Sequence, residues 1–180
     1  MDISELVKIT ARAWSLSILG QLASGTPARQ APLLAATGAS RTSFAHSMAH
    51  LIDLELLERN PGHGHPLRPE YRLTETGRQW AEIAHRIQSI GLGGEGDTLL
   101  RKAWSLPVLA VCAEPQYFGQ IKRALPPITD RALSQTLKRL QGQHWLSRTT
   151  DTEMHPPRPI YRTDHTGLAI ARAAKLPSMR

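Results

Sequence analysis

Two stretches of the chain set a guanidinium beside a proline: HPLRPEYR (His65–Arg72) and HPPRPIYR (His155–Arg162). An arginine stiffened by the next residue is well placed to reach a phosphate or a narrow groove, which makes Arg68 and Arg158 the candidates. The competing reading is that Pro69 and Pro159 only shape a hairpin and the arginines are solvated. Recurrence of the pair favours contact. Two further polar rows accompany them. In RTSFAHSMAH, the residues Arg41, Thr42, Ser43, Ala45, His46 and His50 fall off the apolar positions, and in DRALSQTLKR so do Asp130, Arg131, Ala132, Ser134, Gln135, Lys138 and Arg139. Arg131 and Gln135 carry the donors and acceptors that match guanine and adenine edges, whereas Lys138 and Arg139, further along, suit phosphates. An ordinary solvated helix face is the alternative for both rows.

Other chemistries have weaker claims. His46 and His50 stand at i, i+4, and His63 and His65 follow in the neighbouring loop, a set that could hold zinc or nickel. Only His155 of that set recurs in the second stretch, so polar residues without a metal are expected, and no cofactor. No G-x-S-x-G, H-E-x-x-H or Walker loop is present and the acidic residues are scattered, so an enzyme is not expected. GLGGEG (Gly91–Gly96) has glycine-fingerprint spacing but follows the helical pattern WAEIAHRI rather than a strand, which removes it from nucleotide binding. The one cysteine, Cys112, excludes an intrachain disulfide framework and any multi-cysteine metal site. On an apolar helix it reads as core rather than as a thiol sensor.

The chain has 180 residues and a net charge of +7. Residues 1–95 carry 9 basic and 9 acidic side chains, while residues 96–180 carry 13 basic and 6 acidic, so the whole excess lies in the second half. A surface of that sign attracts a polyanion, although a basic balance also aids solubility. No apolar run is long enough to cross a bilayer and the start, MDISELVKIT, has no signal-peptide pattern, so a cytoplasmic, nucleoid-associated protein with no membrane partner is expected.

The elements that must position these groups are written twice. RAWSLSIL (Arg12–Leu19) recurs as KAWSLPVL (Lys102–Leu109) at an offset of 90, and SMAHLIDLELLER (Ser47–Arg59) pairs with TLKRLQGQHWLSR (Thr136–Arg148) at an offset of 89. Each copy predicts an apolar helix around Trp14 or Trp104 and, in the first, a short helix near residues 28–36. A helix capped by Ser40 or Thr129 follows, with apolar residues at i, i+4, i+7. Short strands (LLER and EYRL; WLSR and IYRT) come next, then a helix capped by Thr74 or Asp164. The pattern predicts a mainly α fold with small β-hairpins (α+β): two tandem winged helix-turn-helix domains at 1–90 and 98–180, joined by a glycine-rich linker at 91–97.

The W-S-L-x-[IV]-L opening, TDRALSQTLKRL, a loop ending R-P-x-Y and the L-T-E-T-G helix start together resemble the HxlR-type winged-helix regulators, relatives of the MarR group. The resemblance spans nearly the whole chain, twice. It implies a transcription regulator that binds double-stranded DNA, with recognition helices in the major groove and wings on the backbone or minor groove. Family members are usually single-domain chains that dimerise, so this chain would be a monomer with internal two-fold pseudo-symmetry, a pseudo-dimer. It would prefer an imperfect inverted repeat, or one strong half-site beside a weak one, because the second copy offers lysine and arginine where the first offers alanine and histidine. Members often carry a cysteine just before the tryptophan helix, and neither copy has one there. Trp14 and Trp104 stand either where the copies pack or in plain domain cores. Two rival functions remain open at this point: a winged-helix protein-interaction module acting through a partner regulator or RNA polymerase, and an effector sensor with a pocket between the domains.

Overall fold

A computed structural model describes residues 2–60 and 70–175. The chain opens with helix α1 (Ile3–Thr10), whose N-cap Asp2 accepts the Ser4 amide at 2.8 Å. Its buried residues are Leu6, Ile9 and Thr10. The chain divides into two compact units, residues 12–91 and residues 1–11 with 92–180. The repeat alone would keep residues 1–11 with the first copy, yet α1 clusters with the second. Periodicity predicts that a helix has an apolar face but says nothing about which surface covers it.

In the unit of residues 12–91, α2 (Ser15–Ala23) packs on α5 (Glu75–Gln88), with α3 (Gln30–Thr37) and α4 (Arg41–Asp53) against α2. Trp14 is the N-cap of α2 rather than a residue inside it, and is half-buried. The core holds Ile18, Leu19, Leu33, Phe44, Leu51, Trp80, Ile83 and Ile87, and each such side chain fully removed from water stabilises the fold by about 2 kcal/mol. Strands β1 (Leu57–Arg59) and β2 (Tyr71–Leu73) pair antiparallel, Leu57 opposite Leu73. One further bridge joins Arg29 to Glu70.

In the other unit, α6 (Gly94–Leu100) begins within the residues expected to be linker, 91–97. Helix α7 (Ser105–Val111) packs against α1 and α10 (His165–Ala173), and contacts α8 (Phe118–Ala124) and α9 (Asp130–Gly142). Trp104 caps α7 as Trp14 caps α2, and Cys112 is the C-cap of α7 rather than a residue within the helix. Strands β4 (Leu146–Asp151) and β5 (Arg158–Thr163) form a six-residue hairpin, and β3 (Gln116–Tyr117) joins β5 to give the order β3-β5-β4. The sequence predicted two strands here; a two-residue edge strand leaves no periodic signal to read.

The copies agree in backbone detail. Leaving α4 and α9, Glu55 and His144 both adopt left-handed φ, 56° and 55°. The amides of Leu56 and Trp145 then return to Leu51 O at 3.0 Å and Leu140 O at 2.9 Å. Gly77 and Gly167 lie so near the residue that leads into β1 or β4 that a Cβ on either would stand 1.9 Å from the carbonyl oxygen of Leu56 or Trp145. All four expected caps are present: Ser40, Thr74 and Thr129 each accept the amide three residues on, and Asp164 accepts that of His165.

Candidate nucleic-acid interface

Helices α8 and α9 form the helix-turn-helix of the second copy. Thr129 Oγ1 accepts the Ala132 amide at 3.2 Å, and Lys122 of α8 pairs with Asp130 at 2.6 Å, tying the first helix to the start of the second. Leu133, Thr136, Leu137 and Leu140 turn inward, so Arg131, Ser134, Gln135 and Lys138 project together at i, i+3, i+4, i+7, all exposed. Arg139 is also exposed and lies to one side, where with Lys102, Leu99 and residues of α6 it lines an open groove of about 760 Å³.

In α4 the buried positions are Phe44, Ser47, Met48 and Leu51. Arg41, Thr42, Ala45 and His46 are exposed. Ser43 is exposed, but its amide and hydroxyl are both engaged by the Ser40 hydroxyl, at 3.2 and 3.0 Å, so it completes the cap. His50 is half-buried on the flank of the helix. Counting on from the caps Ser40 and Thr129, Arg41 matches Asp130, Thr42 matches Arg131, His46 matches Gln135, and Ala49 matches Lys138. One copy thus presents a single cation at its first turn and the other presents a row.

The wings differ in the same direction. Arg158 is exposed at the first residue of β5, directly across the ladder from Asp151. Arg68, Pro69, His63 and His65 lie outside the described residues. In the first copy Arg72 is held by Glu58 across the strands at 2.7 Å, Arg29 by Glu70, and Arg78 by Glu75 at 2.6 Å. The residue opposite Arg162, the counterpart of Arg72, is Ser147, which donates to the Arg162 carbonyl at 3.3 Å and has no charge to neutralise it. Arg148 is exposed on β4 beside it. Sequence reasoning passed over Arg148, Arg162, Lys122 and Tyr117. The exchange of LLER for WLSR, glutamate for serine before the arginine, was the legible sign for Arg162.

Cys112 is fully buried and burial pushes its thiol up to about 12, so it stays protonated and unreactive at neutral pH. Among the described residues no three His, Cys, Asp or Glu gather as a metal site, and no helix is long and apolar enough to cross a membrane.

Helix-helix-helix followed by an antiparallel hairpin, built twice with an exposed polar row on the third helix, defines a tandem winged helix-turn-helix protein. The sequence profile of the HxlR-like helix-turn-helix matches residues 9–93 and again residues 99–176, and the chain belongs to that family. It is therefore a DNA-binding transcriptional regulator and not an enzyme. A crystal structure of a MarR-family protein from Porphyromonas gingivalis W83 is similar at 24% identity over 42% of this chain and 74% of that one, with a TM-score of 0.39. No curated protein matches the chain.

Proposed function

We propose that the chain reads duplex DNA as an intramolecular pseudo-dimer in which the second copy supplies most of the affinity. Each copy would place its third helix in the major groove, with Arg131 and Gln135 on base edges and Lys138, Arg139 and Arg158 on phosphates. In the first copy Arg41, Thr42 and His46 would make the corresponding contacts, with Arg68 on its wing. Ser43, at the cap, and His50, on the flank of the same helix, would add contacts at the edge of that surface. The observation that carries this reading is the cationic row of α9, without an ion pair among the described residues, set on the same cap-to-hairpin skeleton as the row of α4 with its single cation, Arg41. One covalent chain holds the weaker half at high effective concentration once the stronger half is bound.

Selection of bound duplexes from a random pool at physiological salt tests the reading. The expected result is two unequal, inverted half-sites about ten base pairs apart. Salt-sensitive binding without any enriched sequence would sink it. A second reading, that the first copy docks on another protein instead of DNA, is favoured by the three glutamate-paired arginines and by Ala45 and Ala49 on the exposed side of α4. An enriched motif with only one half-site would decide for that reading.

A further inference from the structure

We propose that Tyr117 is a positioning residue for the second wing: by holding the Asp151 carboxylate, it keeps Arg158 available to a DNA phosphate. The inference rests on the reading of Arg158 as a backbone contact. Tyr117 closes β3 and is the N-cap of α8, the first helix of the helix-turn-helix, while Asp151 is the last residue of β4, where the wing turn begins. The phenol donates to Asp151 Oδ2, and the Glu153 amide donates to Oδ1 at 3.0 Å. Each carboxylate oxygen thereby already has one donor, and the side chain is fixed at both.

Arg158 is the cross-strand partner of Asp151 in the terminal rung of the hairpin. Opposite charges in that position ordinarily pair. Among the ion pairs of the described residues this one is missing, although the guanidinium is near enough for its charge to act on the Tyr117 hydroxyl. Removing the phenol would free Oδ2 and leave Arg158 as its cross-strand neighbour, so the wing would neutralise its own cation.

The test uses the full chain and a labelled mixed-sequence duplex, with affinity measured by anisotropy across a salt series and melting followed in parallel. Tyr117→Phe should lower the slope of log K against log salt by about 0.9, the worth of one phosphate contact, as Arg158→Ala should. Combining Tyr117→Phe with Asp151→Asn should restore the wild-type slope, because no carboxylate remains to capture Arg158. A merely structural tyrosine would leave the double variant no better than the single one. Arg158→Ala with an unchanged slope would remove the wing contact and this proposal together. A reduced slope for Arg158→Ala beside an unchanged slope for Tyr117→Phe would overturn the role of Tyr117 alone. Should Tyr117→Phe melt the domain, Asp151→Asn by itself must hold the slope at or above the wild-type value, and a fall would overturn the proposal.

Discussion

The two copies share a skeleton and differ in what they do with their cations. Residues 41–53 and 130–142 make helices of the same 13-residue length, leave them through the same left-handed turn and enter the final helix under the same glycine. Yet the first copy closes Arg72, Arg29 and Arg78 onto glutamates, while in the second Arg131, Lys138, Arg158 and Arg162 face solvent. Exposed ion pairs of this kind contribute little stability, about 0–1 kcal/mol each. Their larger consequence is electrostatic: a paired arginine is a poor phosphate ligand and an unpaired one is a good one. The scaffold is common to both copies and the charge is not.

The shared skeleton can be broken first, and with the largest effect. Gly77→Ala and Gly167→Ala each force a Cβ into a backbone carbonyl that cannot swing aside, so each should destabilise its own unit by about 3 kcal/mol or more in urea unfolding. Comparable losses from the two variants would sharpen the equivalence of the copies. One tolerated substitution would break it.

Alkali should separate the copies next. Cys112 has a folded-state value near 12 against 9.0 in the open chain, so the folded form retains a proton that the unfolded form releases. Stability from this group is complete below pH 9 and falls by about 1.4 kcal/mol per unit as pH rises from 9 toward 12. Cys112→Ala should flatten that part of the profile. The first copy carries Leu22 at this position and has no such sensitivity.

A smaller difference concerns one hydroxyl. Ser105 Oγ donates to Leu99 O at 2.6 Å and ties α6 to α7, whereas its counterpart Ser15 Oγ is buried without a partner among the described residues. Ser105→Ala should therefore cost about 1 kcal/mol and Ser15→Ala nothing, read from denaturation midpoints. The smallest effect expected is a gain in binding. Glu58→Gln releases Arg72 and should steepen the salt dependence of DNA binding by no more than about 0.9, with the melting temperature nearly unchanged.

The repeat, the four caps and the hairpins were legible because each leaves a local mark: a hydroxyl or carboxylate ahead of an apolar period, or β-branched and aromatic residues between turns. The destination of α1 was not, since its apolar face carries no address. Residues 91–97 read as linker because glycines dominate there, yet 94–97 begin α6, where packing of Gly96 and Leu99 overrode weak propensity. Within the interface, the exposed rows of α4 and α9 followed from helical spacing. Which arginines stay unpaired did not, because a pair such as Arg72 with Glu58 depends on strand register, fixed only when the ladder forms.

The central claim, that the second copy carries the DNA affinity, is tested most directly by comparing Arg131→Ala with Arg41→Ala on one selected duplex across a salt series. The account predicts a loss of about tenfold or more for Arg131→Ala and less than about twofold for Arg41→Ala, with the salt slope falling only in the first. Equal losses for the two variants would contradict it.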